Sequence, residues 1–341
     1  MPIDSNDAVP ALEVRDLTVE FKTPAGMFRA VDDVNLTVEP GKTLGIVGES
    51  GSGKTTIGRA ILGLTPVQQG TILLAGQDIT HLKGRQRRPL SRLLQVVFQD
   101  PYSSLNPVRT VGQTLSETLG SERLSRAEVA QRVRDILTHV GLDRAAADRY
   151  PSQFSGGQRQ RIAIARALIA GPRFVVCDEP VSALDLSVQA QVLNLLRSLQ
   201  TELGLSYLFI SHDLSVVRHV SHRLLVLYRG RVVEYGDADE LYANPRHPYT
   251  RSLLHASPVP DPAAQAQRRD ALQAARTAEE VRARMSDGCA FAPRCAFATS
   301  LCWGVTPELE PTDGDATVAC HHWRDIPPAS LPVIASSATA P

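Results

Sequence analysis

Thr43-Leu-Gly-Ile-Val-Gly48-Glu-Ser-Gly-Ser-Gly53-Lys54-Thr55-Thr56 decides how this chain is read. Its first five residues are short, apolar and partly β-branched, as a buried strand requires. Gly48 to Thr55 then fits the phosphate-loop pattern G-x-x-x-x-G-K-[ST], and Thr56 to Leu62 reads as helix. Glycines let the backbone curl so that successive N–H groups face an anion, and the helix N-terminus adds partial positive charge. Lys54 is placed to reach the β- and γ-phosphates and the Thr55 hydroxyl to ligate Mg²⁺. Average usage produces the pattern by accident in about one chain in a hundred of this length, so alone it says only "nucleotide".

Working outward, Leu12, Val14, Leu17, Val19 and Phe21 mark a roughly alternating strand, and Val31 to Val38 a second. Apolar runs at Leu93–Phe98, Phe174–Cys177, Tyr207–Ile210 and Leu224–Leu227 predict buried strands. Separated by helical stretches, they imply a mostly parallel sheet covered on both faces. Residues 110–170 break that rhythm and predict an inserted helical subdomain. Ser257-Pro-Val-Pro-Asp-Pro262 reads as a boundary, because proline discourages helix and strand alike.

The 341 residues carry 36 basic and 36 acidic side chains, 43% hydrophobic and 21% charged residues, which excludes fibrous and globally disordered chains. A neutral balance with 5% aromatics gives no basic, base-stacking surface, so no nucleic-acid partner is expected. No window reaches the 18 or so apolar residues of a membrane-spanning helix, and Met1 to Pro10 lacks the pattern of a signal peptide. The expected location is therefore cytoplasmic, with any membrane connection made through a partner.

Two further stretches sharpen the nucleotide reading. Phe174-Val-Val-Cys-Asp178-Glu179-Pro sets two acids at the end of a buried strand, where ligands bind in such sheets. Asp178 suits the Mg²⁺ shell, and Glu179 a general base on the attacking water. Phe154-Ser155-Gly156-Gly157-Gln158-Arg-Gln-Arg161 forms a second anion-binding turn at a helix start. A second such turn in a domain with one phosphate loop invites use from the opposite side of the nucleotide.

In this order, the phosphate loop, Gln99, Ser155-Gly-Gly-Gln158, Asp178-Glu179, Ser182-Ala-Leu-Asp185 and His212 resemble the ATP-binding cassette (ABC) ATPases, over roughly residues 11–255. The resemblance implies an α/β phosphate-loop NTPase domain with a mostly parallel core sheet, an antiparallel β subdomain and an inserted helical subdomain, followed here by a small C-terminal Cys-rich module. ATP would be bound by Gly48, Ser50, Gly51, Ser52, Gly53, Lys54, Thr55 and Thr56, and Phe28 matches the aromatic that stacks on adenine. Thr55, Gln99 and Asp178 would hold Mg²⁺. Glu179, His212, Lys54 and Gln99 form the expected catalytic set. Two such domains would dimerise head to tail, the partner's Ser-Gly-Gly turn closing each site.

Tyr102-Ser-Ser-Leu-Asn-Pro107 and Asn244-Pro-Arg-His-Pro-Tyr-Thr250 resemble the oligopeptide and dipeptide importer ATPases, features shared with nickel importers. The implied partners are a second, different ATPase subunit, two transmembrane permease subunits and a substrate-binding protein, at the cytoplasmic face of the inner membrane. A DNA-repair cassette would need a long coiled coil, and a translation-type cassette a second ATPase domain. The expected divisions are a flexible 1–10, an ATPase domain at 11–256 (helical subdomain about 100–170), a linker at 257–287, a metal or cluster module at 288–325 and a disordered tail at 326–341. Ala263 to Met285 is charged and Ala-rich where the family's linker is Pro-rich.

Cys289, Cys295, Cys302 and Cys320 have the spacing C-x5-C-x6-C-x17-C. Clustered thiols in a reducing compartment read as a metal site before disulfides. A [4Fe-4S] cluster, known among the resembling importer subunits, is the first reading. Tetrahedral Zn²⁺ is the alternative and free thiols the third. His321 and His322 are outer candidates, and Cys177 reads as a small buried side chain. The run Lys83, Arg85, Arg87, Arg88 and Arg92 reads as a solvated face, with lipid headgroups or a partner as the alternative.

Overall fold

The computed structural model describes residues 9–24, 26–100, 105–120, 124–256 and 288–327. The linker, most of the tail, the first eight residues and Tyr102-Ser-Ser104 lie outside the described residues. The chain divides into two compact units, Met1–Arg231 and Val232–Pro341.

In the first unit, β1 (Leu12–Thr23) and β2 (Gly26–Val38) pair antiparallel. With β4 (Gln69–Leu74) and β5 (Gln77–Asp78) they form a four-stranded sheet in the order β2-β1-β4-β5. The alternation of β1 changes phase midway: Leu12 and Val14 are buried, and so are Leu17 and Val19. Asp16, at φ 51° with its N–H donating to Asn35 Oδ1, makes the bulge that lets both pairs face one core. Phe21 continues the odd-numbered pattern but stands 40% exposed at the hairpin end.

The second sheet of this unit is parallel. β3 (Thr43–Val47) lies between β8 (Ser206–Ser211) and β9 (Arg223–Tyr228). β7 (Phe174–Asp178) lies between β8 and β6 (Leu94–Val97). Every residue of β3 and β8 is buried, so these strands read as continuous apolar runs. Full burial of Ile46, Phe174 and Phe209 stabilises the fold by about 1.5–3 kcal/mol per side chain. The buried Tyr207 hydroxyl donates to Leu196 O at 3.1 Å, which removes the cost of an orphaned donor. Cys177 is fully buried in β7, and burial drives its thiol far above the usual range.

Helix α1 (Lys54–Ile61) follows β3. Between β6 and β7 the chain forms α2 (Val111–Thr118), α3 (Arg126–His139) and α4 (Gly156–Leu168). Each of these three begins on a reciprocal side-chain cap: Thr110 with Gln113, Ser125 with Glu128, and Ser155 with Gln158. α5 (Leu186–Leu203) starts on Asp185 and stops at Gly204, whose φ of 65° ends the helix. α6 (Leu214–Val220) follows β8.

The basic run after β5 is not uniformly solvated. The Arg87 guanidinium donates to the carbonyls of Leu82, Ile61 and Ile79 at 2.8–3.0 Å. It staples three segments from inside, which corrects the reading of Arg87 as surface charge.

In the second unit, β10 (Arg231–Asp237) pairs antiparallel with β12 (Thr317–Val318), which pairs with β11 (Glu310–Pro311). Helices α7 (Ala238–Ala243), α8 (Pro248–Ala256) and α9 (Ser300–Gly304) complete it. Among the described residues no helix is long and apolar enough to cross a membrane.

Candidate nucleotide site and cysteine cavity

The phosphate loop leaves the buried strand β3 at Gly48 and enters α1 at Lys54. Gly53 adopts φ 106°, and a Cβ there would meet Ala30 O at 2.4 Å. At Gly48 it would meet Leu227 O at 2.2 Å. No side chain fits at either point, so the loop is held tight against its neighbouring backbone. Ser52 is buried, and its hydroxyl has no hydrogen-bond partner. An orphaned donor inside a Gly-rich loop is what a phosphate oxygen would satisfy.

Lys54 Nζ donates to the carbonyls of Gly48 and Glu49, both at 2.8 Å. Burial pushes the lysine down from its ordinary value, and the charges of Glu179, Asp178 and Glu49 oppose that shift. Thr55 Oγ1 donates to Asp178 Oδ1 at 3.0 Å, joining the loop to the end of β7. Burial raises Asp178, against the Thr55 hydrogen bond and Lys54.

Glu179 sits just past β7 at φ 49°, a left-handed conformation unusual for a side-chain-bearing residue. Its N–H donates to Ile210 O at 2.9 Å, which ties the strained residue to the neighbouring strand β8. Gln99 Nε2 donates to Glu179 Oε2 at 3.1 Å, and His212 Nδ1 lies 3.1 Å from Oε1. The carboxylate is thus bracketed from both sides. Hydrogen bonds therefore connect Glu179 with Gln99 and His212, and Asp178 with Thr55. Lys54, on the same loop, is coupled to both acids by charge.

Phe28 and the Ser155 turn stand elsewhere in the unit. Phe28 is 53% exposed on β2, opposite Phe21 on β1. Phe21 was legible in sequence only as a core-facing residue, and the pairing makes it part of an exposed aromatic pair. Ser155 Oγ accepts from Gln158 N, and Gln158 Oε1 accepts from Ser155 N, so the turn is pre-shaped with its side chains exposed. Gly157 packs against α5: a Cβ there would lie 2.5 Å from Val188 Cγ1. Asp185 Oδ1 accepts from Val188 N at 2.9 Å, so the segment carrying Ser182 to Asp185 is fixed next to that turn.

In the second unit, Cys289, Cys295, Cys302 and Cys320 all line one cavity, whose other walls include Phe291 and His247. Backbone bonds shape it, among them Cys289 N to Cys302 O at 2.8 Å. Burial raises the thiols of Cys289 and Cys295, and pushes Cys320 up to about 11. Among the described residues no group of three or more His, Cys, Asp or Glu side chains is drawn together to hold a metal ion. Neither the [4Fe-4S] cluster nor the tetrahedral Zn²⁺ alternative finds support in that arrangement. His321 Nε2 is engaged with Val305 O and His322 Nε2 with Thr299 Oγ1.

Comparison with known proteins agrees with this geometry. Residues 31–182 match the ABC transporter family, and residues 233–302 match the oligopeptide/dipeptide transporter C-terminal region. The chain is 47% identical over 319 residues to a probable peptide ABC transporter ATP-binding protein of Sinorhizobium fredii, covering 91% of this chain and 89% of that one. It is 51% identical over 254 residues to the oligopeptide transport ATP-binding protein OppF of Bacillus subtilis, covering 74% and 83%. Among solved structures it resembles CbiO1 of Clostridium perfringens, with TM-score 0.63 and 28% identity over 69% of this chain and 91% of that chain. An ATP-binding cassette solved as a post-hydrolysis dimer with ADP and Pi gives TM-score 0.61 at 28% identity, covering 67% and 98%. The chain belongs to the ABC transporter ATPases, in the oligopeptide/dipeptide transporter family.

Proposed function

We propose that this chain hydrolyses ATP to energise peptide uptake, as one of two unlike ATPase subunits beneath a pair of membrane-spanning permeases. It works as a peripheral protein on the cytoplasmic face of the inner membrane, and a substrate-binding protein delivers the solute. The observation that carries the chemistry is the double bracketing of Glu179 by Gln99 and His212 beside the Thr55–Asp178 bond.

ATP lies along the phosphate loop, with adenine against Phe28 and its phosphates over Gly48 to Thr56. Lys54 turns from the loop carbonyls to the β- and γ-phosphates. Thr55, Asp178 and the carbonyl oxygen of Gln99 would hold Mg²⁺, which neutralises charge on the phosphates. Gln99 spends its amide nitrogen on Glu179, so that oxygen remains for the ion. Glu179 takes the proton of the attacking water as its oxygen bonds to the γ-phosphorus and the bond to the β-phosphate oxygen breaks. His212 fixes the carboxylate and contacts the γ-phosphate. The partner subunit closes each site with its own Ser-Gly-Gly turn, as Ser155, Gly156, Gly157 and Gln158 do for the partner's ATP.

The four cysteines are assigned to a [4Fe-4S] cluster. That assignment rests on the four cysteines lining one cavity, with apolar walls at Phe291, Ala292 and Ile326. Such a centre cross-links a segment too short to bury much surface by itself.

The test is reconstitution with the partner ATPase and permeases in vesicles. ATP hydrolysis should rise when peptide-loaded binding protein is added outside, and Glu179→Gln should abolish the rise. Hydrolysis indifferent to permease and peptide alike would remove the import assignment.

A further inference from the structure

The neighbouring parallel strands β6, β7 and β8 carry Gln99, Glu179 and His212 just beyond their C-terminal ends. Leu93, Arg173 and Leu205 immediately precede the N-terminal ends of the same strands, and all three line a cleft of about 660 Å³. A cleft of that size is in the range of small-molecule sites. It lies at the opposite edge of the sheet from the nucleotide residues, the length of a five-residue strand or about 16 Å away. Arg173 N donates to Leu93 O and Ser206 N to Arg173 O, both at 3.0 Å, which fixes the floor. α3 and the end of α4 supply walls, and Ile136, Ile169 and Leu203 join Leu93 and Leu205 as the apolar lining. Leu203 is left 45% exposed. The exposed side chains of Arg92, Arg132 and Arg173 come to this cleft from three separate segments. Asp135 stands one turn along α3 from Arg132, and the C-terminal end of α4 adds partial negative charge.

We propose that this cleft binds a short peptide with both termini free and at least one apolar side chain. The peptide carboxylate pairs with the arginines, whose planar forks suit two-pronged contact with a carboxylate. Its ammonium pairs with Asp135, and its apolar side chain covers Leu203 and Leu205. A fatty acid would satisfy the arginines and the floor but would lay hydrocarbon against Asp135, and covering an unpaired charge is costly. Both signs of charge around one apolar floor therefore favour the peptide. Such a ligand touches the core sheet, α3 of the helical insert and the last turn of α4, the helix whose first turn is Ser155-Gly156-Gly157. A peptide held there gives the ATPase a contact with its own imported solute. The choice of a peptide among organic anions rests in part on the import reading above.

Isothermal titration of the full-length chain, without permeases, tests this with trileucine as the probe. Its C-terminal amide, its N-acetyl form and decanoate serve as the comparisons. Free trileucine should bind, and blocking either terminus should weaken it about tenfold or more, since each block removes a charge-assisted contact. Arg132→Gln combined with Arg173→Gln should raise the trileucine Kd by a similar factor or more. Both side chains are exposed and outside the nucleotide site, so ATP affinity should stay at the wild-type value and report that the variant is folded. Absence of binding at millimolar trileucine would overturn the proposal. So would trileucine binding that the double variant leaves unchanged, which would put the peptide elsewhere on the chain. Decanoate binding as tightly as trileucine would show a site for apolar carboxylates and remove the peptide assignment. With no permease in the measurement, its failure leaves the import reading standing, and failure of the vesicle assay leaves the binding result standing.

Discussion

Gln99 Nε2 and Glu179 Oε2 meet at 3.1 Å although they are 80 residues apart, one just beyond β6 and the other just beyond β7. The pairing follows from the parallel register of those strands, in which Val97 faces Cys177. Gln99 and Glu179, each two positions beyond that pair, are thereby delivered to the same edge of the sheet, where ligands bind in parallel α/β folds. The helical subdomain lies in sequence between the two strands.

Glu179→Gln removes the carboxylate proposed as the base and preserves shape. Steady-state hydrolysis in the assembled transporter should fall by about 10²–10⁴. Binding of a fluorescent ATP analogue should be nearly unchanged, since Glu179 is not a principal phosphate contact.

Lys54→Ala should act in the opposite way, on binding. A charge-assisted hydrogen bond is worth about 1.5–3 kcal/mol, which corresponds to roughly a 10- to 150-fold rise in Kd for ATP. Equilibrium titration with and without Mg²⁺ measures it.

Gly157→Ala places a methyl 2.5 Å from Val188 Cγ1. Overpacking of this kind costs about 1–3 kcal/mol, and the Ser-Gly-Gly turn should shift with it. Adding Val188→Ala should recover much of the stability, because the two residues touch. A double variant no more stable than Gly157→Ala alone would show that the contact is not the cause.

Arg87→Met keeps much of the stem's packing and removes the donors to Leu82, Ile61 and Ile79. Three half-buried carbonyls lose a charged partner, and a loss of about 2 kcal/mol is expected. Denaturant unfolding should show a lower midpoint with an unchanged slope. Binding to anionic vesicles should not change, as the guanidinium is turned inward.

Glu234 gives the second unit a pH dependence. Burial raises its carboxyl from 4.5 to about 7, against the hydrogen bonds from the N–H groups of Arg246 and His247. Between those values the folded chain binds the proton more tightly than the unfolded chain does. Its contribution is thus present at low pH and fades as pH rises from 4.5 through 7. Both tryptophans of the chain, Trp303 and Trp323, lie in this unit, so their fluorescence follows its unfolding. The midpoint should fall across that window, and Glu234→Gln should flatten the fall.

The sequence by itself determined the family and the residues proposed for the nucleotide site. Phosphate loops, caps and acid pairs are local patterns, written in residues a few positions apart. The buried strands were legible for the same reason: a strand covered on both faces leaves an unbroken apolar run, as at Phe174–Cys177 and Tyr207–Ile210. Tertiary structure alone decided how those pieces meet. The Asp16 bulge, which changes the phase of β1, depends on Asn35 in another strand. The inward turn of Arg87 depends on carbonyls from three separate segments. Above all, His247 and Cys289 are more than forty positions apart in the chain and line one cavity, with no local pattern linking them. Side-chain hydrogen bonds and cavities are set by through-space packing, and a one-dimensional pattern specifies only neighbours along the chain.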